Sequence, residues 1–402
     1  MNNFFAMKPS LLIKLLLLLF LIALGFGCSK QSEKDKRESK KKVFPEKHFI
    51  LNNIAKMPTG GYYIALNDSI RKIDKEGKLI WSKGFEGNIE LTCIVNTEDG
   101  YLVGGKKNYE DRQDDIFFNR KNDYFLCKFS KSDIAEWERS FGGDGNDYLR
   151  QLTSTSDGGF ILGGDSDSRI SGDKTSENIG KFTSWLVKID ANGNKVWDKC
   201  VGTGWRDEFT AGILNSEGNY IMTGSGEYDG INNNYAIIFA QVDKNGKLKH
   251  LKNIGYFKDS SIISSTIALS PDGNYILGSQ NFKLIEVNKQ GKKIWERDFN
   301  YFSDFSDSHL YSIISNRDGT FYLTGIYLPS KFKLQEDDPY NHQDFHFQYC
   351  VLKVDSKGNK LWSKTYASNT NSILISPEGE VLLGCIVESS SNRNWKIIKV
   401  VE

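Results

Sequence analysis

From residue 43 onward, short runs of aromatic and β-branched residues alternate with polar turns that contain Asn, Asp and Gly. The third repeat of this pattern is the clearest, with strands predicted at residues 149–154, 160–164, 184–190 and 195–201. Asn-Gly and Asp-Gly turns between such runs are typical of β-hairpins, because these residues accept the positive φ angles that tight turns need. No helical periodicity is found in this region. The pattern therefore predicts an all-β protein made of four-stranded units.

One turn recurs with the form Asp-x-x-Gly-x-x-x-Trp. The copies at 74–81, 190–197 and 355–362 are complete, and the copy at 288–295 begins with Asn. A further copy, 243–250, has His250 in place of Trp, and the copy at 130–137 keeps Trp but lacks Gly. The chain has only eight Trp residues, and five of them fall on this position: Trp81, Trp137, Trp197, Trp295 and Trp362. The repeat is therefore genuine.

A second signature, a Gly-containing turn followed by an aromatic or aliphatic strand, occurs seven times, with strands starting at residues 62, 101, 160, 220, 275, 321 and 381. Four-stranded units at a period of roughly 40 to 60 residues are typical of a β-propeller. An open β-solenoid is the rival, but its rungs are usually shorter and parallel. We predict a seven-bladed β-propeller of four-stranded antiparallel blades over residues 43–402. The last repeat has three strands, and residues 43–49 are expected to supply its fourth.

The first thirty residues predict where the protein is located. Lys8 and Lys14 precede an apolar run, 15–24, that is too short to span a membrane and fits the apolar region of a secretory signal. Residues 25–29, Gly-Phe-Gly-Cys-Ser, resemble the lipobox of bacterial lipoproteins. We therefore predict a signal peptide at 1–27 and, at 28–42, a lipidated Cys28 followed by a flexible charged tether. A plain signal peptide with an incidental Cys is the alternative. Acyl chains such as palmitate on Cys28 would hold the chain on a membrane.

The motif Lys-Ile/Val-Asp-x-x-Gly-x-x-x-Trp, as at 188–197 and 353–362, resembles the quinoprotein-like, or PQQ-repeat, propellers. The resemblance covers about 355 residues by repeat, and it implies that the five recurring Trp side chains dock one blade on the next. That superfamily contains both quinone-dependent dehydrogenases and non-catalytic lipoproteins of the bacterial envelope. The dehydrogenases often carry adjacent Cys residues, which this chain lacks. We therefore expect the non-catalytic type and no cofactor.

Five Cys residues follow Cys28, and all five fall in predicted strands: Cys93, Cys127, Cys200, Cys350 and Cys385. Buried free thiols are the expected state, although an envelope location would permit a disulfide.

Two local patterns bear on metal binding. Residues 142–150 match a calcium-binding nonapeptide, Gly-Gly-x-Gly-x-Asp-x-U-x, in which Asp147 would be the ligand. That motif binds calcium between stacked copies, and this copy stands alone, so we interpret it as an inter-blade turn. The loop 335–348 contains His342 and His346 among four carboxylates, which could bind a transition metal. A solvated loop is the interpretation we prefer, and no metal is predicted.

Connections between the second and third strands differ in length. They span 106–122, 165–182, 226–234 and 327–347 in the second, third, fourth and sixth repeats, and they are nearly absent from the first and fifth. In a propeller these connections share one face with the inter-blade loops. Loops on a rigid scaffold usually carry recognition, so this face is the predicted binding face. Its acidic and aromatic candidates are Tyr109, Asp114, Asp115, Phe117, Asp165, Asp167, Tyr228, Asp337, Asp338 and Tyr340.

Charge divides the chain into two parts. The whole chain has 52 basic and 51 acidic residues, so no field extends over it to attract nucleic acid. The tether at 29–42 has seven basic and three acidic residues. Without these and without Lys8 and Lys14, 43 basic and 48 acidic residues remain.

We expect a lipid-anchored propeller of the bacterial cell envelope, most simply on the outer membrane and facing the periplasm or the surface. Its expected function is that of a non-catalytic binding or assembly scaffold for a protein or glycan partner. The alternative is a polysaccharide-active hydrolase or lyase that uses carboxylates on the long-loop face. Paired acids in one pocket would favour the enzyme, and a shallow aromatic surface would favour the binder.

Overall fold

The computed structural model describes residues 53–110, 120–227, 234–258, 266–279, 282–299, 308–327, 348–366, 369–375, 381–389 and 392–400. The chain divides into two units, Met1–Lys47 and His48–Glu402. The first unit lies outside the described residues, so the signal peptide, the lipidation of Cys28 and the tether stay predictions.

The second unit is an all-β propeller whose blades are antiparallel sheets of four consecutive strands, numbered in chain order. Blade 1 contains β1 (Ile54–Lys56), β2 (Tyr62–Leu66), β3 (Ser69–Ile73) and β4 (Leu79–Gly84). Blade 2 contains β5 (Ile89–Thr97), β6 (Gly100–Glu110), β7 (Arg120–Ser130) and β8 (Ala135–Phe141). Blade 3 contains β9 (Asp147–Ser154), β10 (Phe160–Ser166), β11 (Thr183–Ile189) and β12 (Lys195–Val201).

The remaining blades repeat this order. Blade 4 contains β13 (Arg206–Leu214), β14 (Tyr220–Glu227), β15 (Asn234–Val242) and β16 (Leu248–Lys258). Blade 5 contains β17 (Thr266–Leu269), β18 (Tyr275–Ser279), β19 (Lys283–Val287) and β20 (Lys293–Asp298). Blade 6 contains β21 (Ser308–Ser315), β22 (Phe321–Tyr327), β23 (Gln348–Val354) and β24 (Lys360–Tyr366). The strands predicted for the third repeat are confirmed to within two residues at each end.

The prediction of seven four-stranded blades is wrong. Among the described residues the structure shows six such blades. The seventh repeat forms a three-stranded sheet of β25 (Asn369–Ile375), β26 (Val381–Ser389) and β27 (Asn392–Lys399). Residues 43–49, which we expected to supply a fourth strand, lie outside the described residues.

The core lies between blades. Buried side chains of each blade cluster with those of the next, as in the cluster that joins Leu102 and Tyr124 of blade 2 to Leu162 and Trp185 of blade 3. The first strands of successive blades contact one another, which makes them the innermost strands. The fourth strands are the most exposed; β4, for example, has no buried residue. Blades 2 to 6 each contribute apolar side chains to the clusters on both of their sides, so they bury these faces by stacking on their neighbours.

The repeated turn between the third and fourth strands of each blade requires a residue with a positive φ angle. Its glycine adopts a positive φ angle in each copy that has one, for example 80° at Gly193 and 76° at Gly358. The copy that lacks glycine has Asp133 at this position with φ 61°, one of the few non-glycine residues in this region of φ. No helix within the described ranges is long and apolar enough to cross a membrane.

Candidate functional site

The two ends of the blades differ. One end, the loop face, carries the inter-blade connections and the connections between second and third strands. The opposite end, the turn face, carries the tight turns between first and second strands and between third and fourth strands. This division results from the up-and-down strand order within each sheet.

Most residues of the predicted binding face lie outside the described part of the chain. The following lie outside the described residues, as Cys28 does: Asp114, Asp115, Phe117, Tyr228, Asp337, Asp338, Tyr340, His342 and His346. The connection of blade 2 is also shorter than expected. Strands β6 and β7 continue to the pair Glu110 and Arg120, so much of the expected loop at 106–122 is a two-stranded ribbon.

Three residues predicted for the binding face are described, and they differ in exposure. Tyr109 lies on the ribbon, is 37% exposed, and has the ammonium groups of Lys107 and Lys121 at 5.7 and 5.8 Å from its ring centroid. Asp167 is exposed and accepts a hydrogen bond from the backbone N–H of Asn146. Asp165, in contrast, is 0% exposed and cannot contact a partner from this position.

Asp165 is a buried residue that connects blade 3 to blade 4. Its Oδ2 accepts a hydrogen bond from Arg150 Nε at 2.8 Å, and its Oδ1 accepts one from the backbone N–H of Phe209 in blade 4 at 2.6 Å. Burial raises the pKa of Asp165 to about 6, against the opposing effect of Arg150. The sequence pattern predicted a loop at Asp165 because the apolar run ends at Gly164. Strand β10 in fact continues for two more residues, to Ser166.

The nonapeptide-like segment is an inter-blade turn. Asp147 Oδ2 accepts hydrogen bonds from the backbone N–H of Gly143 at 2.9 Å and from Ser168 Oγ at 2.8 Å. In the next blade Asp207 accepts the backbone N–H groups of Thr203 and Gly204 in the same way. No group of three or more His, Cys, Asp or Glu side chains suited to a metal occurs among the described residues.

Both of these aspartates are fully buried, and each has one oxygen without a hydrogen-bond partner. Burial raises the pKa of Asp147 to about 6, and it has the same effect on Asp207. A raised pKa is what a general acid needs. However, Asp147, Asp165 and Asp207 have no exposed surface, so none of them reaches a substrate on the described part of the loop face.

The long connection of blade 3, residues 167–182, is held by hydrogen bonds in its middle and near its end. Asp198 of β12 accepts the backbone N–H groups of Thr175 and Ser176 at 3.1 and 3.0 Å and the indole N–H of Trp185 at 3.0 Å. At its end the loop runs beside the next inter-blade turn, where the Lys181 N–H donates to the Trp205 carbonyl at 2.9 Å. The loop is thus a fixed part of the surface.

This fixed surface exposes large apolar side chains. Trp205 is 56% exposed, and Ile170 and Ile179 are also exposed. The backbone N–H of Trp205 donates to the Glu227 carbonyl at 3.0 Å, so the indole stands on an anchored turn. The sequence analysis did not select Trp205, because this residue does not occupy the position of the recurring Trp. A Trp outside that repeated position was itself a sign of a different role.

A row of cations and rings runs beside Trp205 across three blades. Lys106 of blade 2 lies 5.7 Å from the ring of Tyr148, whose centroid lies 6.4 Å from that of Phe182. Arg206 of blade 4 lies 5.4 Å from the Phe182 ring. The two cations are paired with carboxylates, Lys106 with Glu90 and Arg206 with Glu208. We call this row together with Trp205, Ile170 and Ile179 the aromatic patch.

The recurring Trp side chains lie on the turn face, where four of them contact the turn of the next blade. A Cβ atom at Gly193, Gly246 or Gly358 would lie 3.1, 2.9 or 2.8 Å from the ring of Trp137, Trp197 or Trp295. Trp81 instead donates its indole N–H to Asp133, which replaces the glycine. Trp362 packs against Tyr322, Val351 and Val400.

Cys93, Cys127, Cys200 and Cys350 are buried free thiols, as expected. Burial raises the pKa of Cys93 and of Cys127 to about 12.

No family model matches the chain, and no curated protein matches its sequence. The chain is similar in structure to a chain of the Mitotic Checkpoint Complex, with 12% identity over 88% of this chain and 90% of that one and a TM-score of 0.54. It is similar to puromycin hydrolase with 9% identity over 87% of this chain and 51% of that one, at a TM-score of 0.50. A match to BamB from Moraxella catarrhalis has 10% identity, covers 85% and 95%, and has a TM-score of 0.48. At these identities the first two matches show the fold alone, and that fold is the β-propeller.

Proposed function

We propose that this chain is a non-catalytic scaffold that binds a protein partner through the aromatic patch of its loop face. The observation that carries the proposal is Trp205, more than half exposed on a turn that hydrogen bonds hold in place. An indole left in water on a rigid backbone costs free energy that contact with a partner would recover. Trp, Tyr and Arg are also the residues that most often dominate protein interfaces.

The composition of the patch favours a protein over a sugar or an anion. Its cations are already paired with Glu90 and Glu208, so the row has little net charge to attract a polyanion. Its exposed aliphatic side chains, Ile170 and Ile179, extend the apolar surface beyond the rings. An apolar centre with paired charges around it is the anatomy of a protein interface. One similar fold belongs to a chain of the Mitotic Checkpoint Complex, which is an assembly of proteins.

The proposal places the scaffold on a membrane of the bacterial envelope through Cys28. Its support is the sequence alone: the apolar run at 15–24, the lipobox-like residues around Cys28 and the charged tether. A tether of fourteen polar residues would leave both ends of the propeller free to meet partners in the envelope.

Site-specific photo-crosslinking in the membranes of cells that make the full chain tests the protein partner. A photoreactive residue replaces Ile179, and in a control it replaces Ile294, a residue on an outer strand that is somewhat more exposed. We expect a protein adduct from position 179 that is absent from position 294 and is lost when Trp205→Ala is added. A glycan adduct at position 179, or equal adducts at both positions, would contradict the proposal. The thermal midpoint of Trp205→Ala should match the wild type, because the side chain is exposed.

A further inference from the structure

Blade 4 departs from the repeat at two residues that face each other. In the other blades the recurring Trp pairs across the strands with a charged residue of the third strand, as Trp197 does with Lys188. The corresponding pair in blade 4 is His250 and Gln241. The other pairs at this register are Trp81 with Lys72, Trp137 with Lys128, Trp295 with Glu286 and Trp362 with Lys353.

In blade 3 the pair of Lys188 and Trp197 has two structural roles. The buried ammonium group of Lys188 donates to Thr155 and Asp157 of its own blade at 2.8 and 2.9 Å. Trp197 covers the glycine of the next blade, Gly246. The first task closes the turn face within a blade, and the second closes the seam between blades.

Neither task is performed in blade 4. The side chains of Gln241 and His250 make no hydrogen bond to any described residue, although Gln241 is only 7% exposed. Gly291 of blade 5 is met by Phe239 and by the stem of Lys252 instead of by a Trp ring. With no partner among the described residues, the amide of Gln241 is available to water or to a ligand, so the position is suited to one.

A cleft of about 430 Å³ occupies the place that a Trp ring would cover, between blades 4 and 5 on the turn face. Its volume falls within the range of small-molecule sites, about 300 to 1,000 Å³. It differs from most such sites because every residue that lines it is polar or charged. The side chains that could bind a ligand there are those of Gln241, Lys244, Lys249, His250 and Lys289.

The charges in the cleft leave cations available. Lys244 and Lys249 form no ion pair with a described residue, and the ammonium of Lys289 lies 4.0 Å from Glu217. The carboxylates are engaged: Asp243 accepts backbone N–H groups of its own turn, and Glu217 accepts the amide of Asn219. Free ammonium groups bind an anionic group, and free amide groups bind hydroxyls.

We propose that this cleft binds a sugar that carries a carboxylate or a phosphate. The ammonium groups of Lys244 and Lys249 pair with the anionic group, and Gln241 and His250 hydrogen-bond the sugar hydroxyls. The site lies on the face opposite the aromatic patch and does not depend on the partner proposed for that patch.

Calorimetric titration of the full chain in detergent with four probes tests the site: glucuronate, glucose 6-phosphate, glucose and inorganic phosphate. We expect the first two to bind, and glucose and phosphate to bind more weakly by about tenfold or more. Binding of glucuronate alone or of glucose 6-phosphate alone identifies the anionic group and supports the site. If neither binds, or if phosphate alone binds as well as the sugars do, the proposal is wrong.

Three variants locate the site. His250→Trp restores the repeat and fills the cleft, and Lys249→Ala removes one cation from an exposed position without touching the core; each should weaken binding by about tenfold or more. The control is Lys75→Ala, which also removes one exposed cation, but from blade 1 and outside the cleft. It should bind as the wild type does. Unchanged binding by Lys249→Ala and His250→Trp would overturn the assignment.

Discussion

Trp81 of blade 1 donates its indole N–H to the carboxylate of Asp133 in blade 2, over 3.3 Å from Nε1 to Oδ2. The same carboxylate accepts hydrogen bonds from Tyr63 and Lys72 of blade 1, each at 2.8 Å. Burial opposes ionisation, but the hydrogen bonds from Lys72 and Tyr63 hold the pKa of Asp133 below its usual value. In the copy of the repeat that has Asp133 in place of glycine, a charged hydrogen bond between blades replaces the packing of a Trp ring against a glycine.

Substitutions at Asp133 distinguish the effect of its backbone conformation on stability from the effect of its carboxylate. Asp133→Ala should lower the free energy of unfolding by about 3 kcal/mol, because it removes charged hydrogen bonds and leaves Ala at a positive φ. Asp133→Gly should recover about 1 kcal/mol of this by relieving the backbone. Urea unfolding measures both changes. A Gly variant as stable as the wild type would show that the carboxylate contributes no more than the relief of the backbone.

The Trp and His copies of the repeat should differ in stability. Trp295 lies over Gly358 and beneath the guanidinium of Arg297, 5.5 Å from the ring. Trp295→Ala should therefore cost about 2 to 3 kcal/mol, somewhat less than a fully buried Trp. His250→Ala, at the matched position of blade 4, should cost less than about 0.5 kcal/mol. Equal losses in urea unfolding would contradict the role assigned to the Trp ring.

Asp198 should control the fixed loop of blade 3. Burial opposes its ionisation, but hydrogen bonds from Thr175, Trp185 and Ser176 hold the pKa of Asp198 well below its usual range. Asp198→Ala removes all of these contacts at once, so the loop should open. Trypsin should then cleave within 167–182 about tenfold faster than in the wild type. Asp198→Asn keeps one acceptor oxygen and should be intermediate; an unchanged cleavage rate in Asp198→Ala would exclude the anchoring role.

The buried aspartates of the inter-blade turns should give a measurable pH dependence. Their folded-state pKa is raised to about 6, so the folded state binds a proton that the unfolded state has released between about pH 4 and 6. Stability from this source is therefore present below about pH 4 and is lost as the pH rises through 6. Each site should lose on the order of 2 to 3 kcal/mol across that window.

Asp147→Asn and Asp207→Asn remove this dependence. Relative to the wild type, each Asn variant should gain stability as the pH rises from 4.5 to 7.5, whatever its offset at any one pH. Asp190→Asn is the control, because hydrogen bonds from Asn194 lower the pKa of this exposed turn residue. Its carboxylate is therefore ionised in both states above pH 4.5, and the difference from the wild type should stay constant over this range. A difference in unfolding free energy that stays constant with pH for all three variants would rule out the raised pKa values.

The strands and turns could be predicted because they are local. Alternating apolar residues and a glycine with positive φ define β9 to β12 without any knowledge of neighbours. Burial could not be predicted in the same way. Asp165 ends an apolar strand and is followed by polar residues, so it was expected to be exposed; its burial depends on Arg150 and on the backbone of Phe209, a residue of the next blade.

The cleft and the number of complete blades depend on contacts between strands and between repeats, which the sequence pattern does not show. The sequence shows that His250 departs from the repeat, but only the structure shows that its cross-strand partner Gln241 departs as well and that a cleft results. The blade count was wrong for a related reason. Seven copies of a sequence signature are not seven complete sheets, since the seventh copy has only three strands.

Strand β13 begins at Arg206 in the aromatic patch, and the turn after Leu214 places Asn215 in the lining of the cleft. Its nine residues span about 30 Å. One extended segment therefore belongs to both ends of the propeller. If binding at one end changes the tilt or register of β13, affinity at the other end must change by the same factor in both directions. Communication between the two surfaces would then need no domain motion, only a small displacement of a single inner strand.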